Sequence, residues 1–291
     1  MHPTDIPTHP LRENSMAYQS TNPYDGKTVE TFDEIGDAQL EERIASAAAC
    51  FENDWRHRSF DQRKAVLSRA AALLRERAPE FAALVTLEMG KLIQPSLGEV
   101  ALSAAILDYY AEHAQGFLAP EELTTPRGQA TVESAPIGVV FGVEPWNYPY
   151  YQVARLAAPN LMAGNVVMIK HASNVPQCAL AFERLLRDAG APAGAYTNLF
   201  VSKDQVARLI DDPRVRAVAL TGSEAAGAVV AERAGKNLKK ACQPKADGRH
   251  RGLARQGIAS PVRHVLRKTP GFTVDACAHS SISTEQSGAP H

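Results

Sequence analysis

Ile137-Gly138-Val139-Val140-Phe141-Gly142-Val143-Glu144-Pro145-Trp146-Asn147-Tyr148-Pro149 is the stretch that decides the fold. Its first seven residues form a continuous apolar run, the pattern of a strand buried on both faces of a parallel sheet. Two prolines then fix a rigid turn ahead of a helix. Similar apolar runs recur at 166–169, 196–201 and 215–220, with helical stretches at 151–162, 178–189, 204–210 and 224–234. Strand and helix alternating at this spacing is the arithmetic of an open, doubly wound sheet. Right-handed crossovers put its ligand crevice beyond the strand C-terminal ends. The predicted class is α/β: N-terminal helices followed by an open, doubly wound parallel sheet.

Upstream, residues 1–15 hold three prolines and no apolar period, and are expected to be a disordered leader. A short strand is predicted at 28–32, then helices over 36–55, 61–77, 81–89 and 97–114. The third ends at Gly90-Lys91, a glycine stop with a cation beside the helix C-terminus. Residues 119–133 suggest a protruding hairpin. The predicted unit is thus 16–242, with a helical prelude at 36–115, the hairpin at 119–133 and the sheet at 136–242. The tail, 243–291, holds seven Lys or Arg, three acidic residues and four His. It shows no sustained helix or strand period and is expected to be disordered.

Bulk numbers narrow the function. Apolar residues are 45% and charged residues 22%, a globular balance. A formal net charge of −1 gives no electrostatic reason for a nucleic-acid or membrane partner. The N-terminus lacks the order of a secretory signal, and Cys50, Cys178, Cys242 and Cys277 have neither metal-site nor paired spacing. Reduced thiols, no metal and a cytoplasmic location are the expectation.

The chemistry-bearing residues fall where an open sheet puts ligands. The first strand runs into the turn holding Trp146 and Asn147. The second ends at Lys170-His171-Ala172-Ser173, setting an ammonium where a ribose or phosphate could lie. The last leads into Thr221-Gly222-Ser223 and a helix, whose first N–H groups and the Ser223 hydroxyl form an anion site for a pyrophosphate.

Pro145-Trp146-Asn147-Tyr148-Pro149, Ala163-Gly164-Asn165 leading to Lys170, and Thr221-Gly222-Ser223 with Gly227 resemble the aldehyde dehydrogenase superfamily. Leu87-Glu88-Met89-Gly90-Lys91-Leu92 and Lys170-His171-Ala172-Ser173-Asn174-Val175-Pro176 are similar to its succinate-semialdehyde dehydrogenase branch. The resemblance implies an oxidoreductase that turns a small-molecule aldehyde into a carboxylic acid with NAD or NADP. It implies that Asn147 holds the oxyanion of the tetrahedral intermediate, a donor aimed in advance at developing charge. By the same likeness Trp146, Asn147, Lys170, Ser173, Gly222 and Ser223 form the cofactor site. Ser173 replaces a glutamate of many members, so NADP is expected to be tolerated. Arg155 matches an arginine that pairs with the substrate's distal carboxylate. The family is also homo-oligomeric, with the hairpin helping subunits associate.

After Lys239-Lys240-Ala241-Cys242 the likeness stops. Neither the family's Glu-Leu-Gly-Gly, which carries the general base, nor its Gly-Gln-x-Cys, which carries the nucleophile, occurs here. The catalytic domain is missing from the pattern, and the expectation is a catalytically inactive fragment whose tail arose by a shifted reading frame. The alternatives are a nucleotide-binding or regulatory remnant and a non-functional product. The sheet is expected to lose its next strand and to expose an edge prone to aggregation.

Overall fold

The computed structural model describes residues 18–126 and 128–242, and the backbone of 262–268 and 272–275. The leader at 1–15 and the rest of the tail lie outside the described residues. A two-stranded ribbon comes first, β1 (Tyr18–Thr21) with β2 (Thr28–Phe32). Four helices follow, α1 (Asp37–Asn53), α2 (Phe60–Glu76), α3 (Ala78–Met89) and α4 (Ile93–Phe117). A capping box starts α2: Ser59 Oγ accepts from Gln62 N at 3.2 Å, and Gln62 Oε1 accepts from Ser59 N at 2.9 Å. Gly90 ends α3 at φ 71°, a left-handed conformation open to glycine. Lys91, expected beside that helix end, instead reaches the Glu99 carboxylate on α4.

The predicted hairpin is β3 (Glu121–Thr125) with β4 (Gly128–Pro136). Beyond it run β5 (Val139–Glu144), α5 (Pro149–Met162), β6 (Val166–His171), α6 (Pro176–Asp188) and β7 (Tyr196–Asn198). The chain continues through α7 (Lys203–Asp211), β8 (Val215–Leu220), α8 (Glu224–Lys236) and β9 (Lys240–Cys242). The strand order is β7-β6-β5-β8-β9, every pair parallel. The chain therefore moves outward from β5 to β7, then returns to the other side of β5 as β8. That reversal is a topological switch point, where the connections leaving the paired ends of β5 and β8 run to different sides and a ligand crevice is expected.

Two expectations are corrected. The strand after β8 is not lost outright, because β9 pairs with β8 from Ala217–Lys240 to Ala219–Cys242. Its three residues are all exposed. The tail expected to be disordered carries β10 (Val262–Lys268) and β11 (Phe272–Asp275), with β10 antiparallel to β4 and to β11. The physical reason is the hairpin: β3 pairs one edge of β4, and the other edge is an open ladder that templates any stretch able to extend. Val262, Val265, Thr273 and Val274 are residue types that suit a strand.

The helical layer and the sheet share one hydrophobic core, running from Leu40 and Trp55 through Phe141, Leu161 and Ile169 to Ile210. Gly142 shows how closely they meet: a Cβ there would lie 2.3 Å from Leu156 Cδ2 and 2.6 Å from Ile169 Cδ1. The crossover helices α5 and α6 both have proline in their first turn, and neither has a side-chain N-cap of its own. Buried glutamates from the helical layer take that place. Glu99 Oε1 accepts from Tyr150 N at 2.9 Å and Tyr151 N at 3.3 Å, opening α5. Glu88 accepts from Gln177 N at 2.8 Å and Cys178 N at 2.9 Å, opening α6. Each carboxylate satisfies orphan N–H groups and sits at the positive end of a helix dipole.

Candidate active site at the switch point

Asn147 lies on the turn between β5 and α5, exposed at the crevice mouth, with Trp146 half exposed beside it. The turn is held from outside, since Lys91 Nζ donates to the Asn147 carbonyl at 3.1 Å. On the facing strand, Thr221 N donates to the Val143 carbonyl at 3.0 Å, tying the end of β8 to β5. Gly222 follows, and then Ser223 caps α8, its Oγ accepting from Ala226 N at 3.3 Å.

Arg155, two turns into α5, points back under this mouth. Its Nη2 donates to Thr221 Oγ1 at 3.5 Å, and its guanidinium lies 5.6 Å from the centre of the Tyr151 ring. Arg155 and Thr221 thus meet at the paired ends of β5 and β8, from which the Asn147 turn and the Gly222-Ser223 helix start also leave. Lys170 and Ser173 lie one strand further along, at and just after the end of β6. The Lys170 ammonium is half-buried 5.3 Å from the centre of the Tyr18 ring, and burial lowers its pKa. The Ser173 carbonyl accepts from Gln19 N at 2.9 Å, so β1 lines that end of the site. Sequence reasoning missed β1, because Ser20 takes its second inward position and breaks the apolar alternation.

Asn165, quoted as part of a motif, serves the scaffold. Its Oδ1 accepts from Ile137 N at 2.8 Å and Gly138 N at 3.1 Å, fixing the entry to β5.

Glu144 was also missed. It closes β5 on the α5 side of the sheet, 3% exposed, and its Oε2 has no hydrogen-bond partner among the described residues. Burial pushes its carboxyl up to about 8, opposed by the Thr221 hydroxyl and the Arg155 charge. A raised carboxyl stabilises the fold fully below the unfolded value of 4.5, and that stability is lost as pH rises toward about 8. The Glu144→Gln variant has no such loss. Its advantage over the parent chain in urea unfolding is expected to grow between pH 5 and pH 8, to a few kcal/mol at about 1.4 kcal/mol per tenfold displacement. A pH-independent difference would refute the assignment. His171, its register partner on β6, is held neutral by burial with a pKa lowered to about 4, and its Nε2 donates to the Pro149 carbonyl at 3.2 Å.

The cysteines are poorly placed for nucleophilic work. Cys178 is fully buried with its thiol held well above its usual range, and burial pushes Cys50 up to about 11. Cys242 is exposed on β9 at the sheet edge, and Cys277 lies outside the described residues.

The family model of the aldehyde dehydrogenase family matches residues 11–243. This chain belongs to the aldehyde dehydrogenase family. It is 50% identical over 223 residues to the succinate-semialdehyde dehydrogenase [NADP(+)] of Deinococcus radiodurans, covering 77% of this chain and 46% of that protein. The enzyme of the same name from Mycobacterium leprae is 43% identical over 77% of this chain and 50% of its own length. A crystal structure of succinic semialdehyde dehydrogenase from Streptococcus pyogenes, in complex with NADP+, superposes with a TM-score of 0.76 at 46% identity. It covers 78% of this chain and 50% of the other. The chain spans about half the length of the curated relatives it matches. Among the described residues, no helix is long and apolar enough to cross a membrane.

Proposed function

We propose that this chain is the dinucleotide cradle of an NADP-using, succinate-semialdehyde-type aldehyde dehydrogenase, and that in its present form it binds the cofactor without turning over substrate. The observation that supports this reading is the switch point itself: the Asn147 turn and the Thr221-Gly222-Ser223 helix start leave the paired ends of β5 and β8, and Arg155 reaches Thr221 there.

The residues present fit the cofactor. The first-turn N–H groups of α8 and the side-chain-free approach over Gly222 suit a pyrophosphate. Lys170, at the end of β6, suits a ribose and its 2′-phosphate. Ser173 adds no negative charge there, which favours NADP over a site with glutamate. When bound, the nicotinamide supplies the hydride acceptor of an aldehyde oxidation. Asn147 would present its side-chain amide to a developing oxyanion, and the Arg155 guanidinium would take a distal carboxylate.

Thermal melting of the full chain with NADP or NAD tests the reading. At about one hundred times its Kd, a ligand specific for the folded state adds roughly 2.7 kcal/mol. For a domain of this size that raises Tm by roughly 5–10 °C. The expected result is such a rise with NADP and a smaller one with NAD at equal concentration. In the Ser173→Glu variant the NADP shift should shrink while the NAD shift persists. Coincident melts with and without either nucleotide would reject the proposal.

A further inference from the structure

Of the crevice residues, Asn147 has the least support from its own surroundings. It is exposed, it lies on a turn, and Tyr148, which follows it, provides no side-chain cap for α5. An oxyanion donor is useful only where its direction is set beforehand. The restraint has to come from elsewhere in the chain.

It comes from the α3–α4 junction. Lys91 Nζ lies 2.5 Å from Glu99 Oε2, 3.1 Å from the Asn147 carbonyl and 3.7 Å from the centre of the Tyr148 ring. Its side chain is 11% exposed and that of Glu99 is fully buried. The other Glu99 oxygen accepts from Tyr150 N and Tyr151 N. One ion pair therefore grips the turn on both sides: the cation holds Asn147 and Tyr148, and the anion holds the two residues after Pro149. A surface ion pair between flexible side chains would leave the turn free, but this one is enclosed, and its ammonium and its second carboxylate oxygen hold different parts of the same turn.

We propose that Lys91 and Glu99 are positioning residues for Asn147, a clamp reaching across from the helical layer that sets the direction of the crevice amide. The catalytic meaning of the clamp rests on the function proposed above; its mechanical action does not.

The chain has two tryptophans, and they report separately. Trp146 stands in the clamped turn and is 50% exposed, whereas Trp55 is fully buried with its indole N–H donating to the Leu161 carbonyl at 3.0 Å. In a ¹⁵N-labelled full chain the two indole resonances distinguish a loosened turn from a loosened fold. The double variant Lys91→Met with Glu99→Gln removes both charges together, so no lone charge is left buried, and the glutamine oxygen can still accept from α5. The expected result is a shifted, broadened Trp146 indole and easier acrylamide quenching of Trp146, with the Trp55 indole unmoved. Lys91→Arg should restore the parent signals. An unmoved Trp146 indole overturns the clamp, and so does a variant in which both indoles move together, since the pair would then serve the fold alone. Loss of the NADP melting shift in the parent chain would instead strike at the proposed function, leaving the tryptophan result to judge the clamp by itself.

Discussion

Purified chain of these 291 residues is expected to oxidise succinic semialdehyde more slowly than an intact relative by a factor on the order of a million, the cost of losing the nucleophile in a covalent enzyme. Asn147 and Arg155 sit at the crevice, but no described cysteine accompanies them there. Cys178 is closed off in the first turn of α6 with a thiol that resists ionisation, Cys50 is buried on the inner face of α1, and Cys242 stands at the outer edge of the sheet. A thiol becomes a nucleophile only with a positioned base and an oriented substrate. The measurement is reduced-cofactor formation by purified chain, with mass spectrometry of its cysteines after exposure to the aldehyde. Turnover approaching that of an intact relative, or an acyl adduct on any cysteine, would sink the prediction.

The second large effect concerns stability. Glu99→Ala is expected to destabilise the fold by about 3–5 kcal/mol, the range for breaking one side of a buried ion pair. The substitution leaves the Lys91 ammonium without its carboxylate and returns two N–H groups at the start of α5 to an unsatisfied state. Exposed pairs provide the contrast. Lys64 and Glu112 meet at 2.6 Å, yet their side chains are 42% and 64% exposed, and Glu112→Ala is expected to leave the urea midpoint close to that of the parent chain. Urea unfolding followed by the fluorescence of buried Trp55 checks both. Equal midpoints for the two variants would show that the enclosure of Lys91 and Glu99 contributes nothing.

The sheet and its crevice were legible in the sequence because their signals are local. Val139–Val143 and Val166–Ile169 are apolar without a break, Val215–Leu220 is interrupted only by Arg216, and the prolines at 145 and 149 mark the turn where the first strand must end. What stayed hidden was decided by tertiary contact. Glu88 and Glu99 look like the solvated charges of amphipathic helices, and nothing in their spacing reveals that α5 and α6 begin above them. Glu144 read as part of a turn, although its place on the covered face of β5 makes it the most perturbed acid at the crevice. The strands β1, β9 and β10 were missed for a related reason: short, polar or irregular segments gain strand form from the edge they pair with.

The trans caps on α5 and α6 bear on synthesis. Translation runs from the amino end, so the acids that close these two crossover helices leave the ribosome well before the amides they serve. Until residues 150 and 177 emerge, Glu88 and Glu99 have hydrogen bonds to accept and no donors to supply them. The early helices are then a half-finished socket, and the later helices arrive to find their first turns already provided for. Neither layer is a free-standing unit, and the two should protect their amides from exchange with solvent as one body.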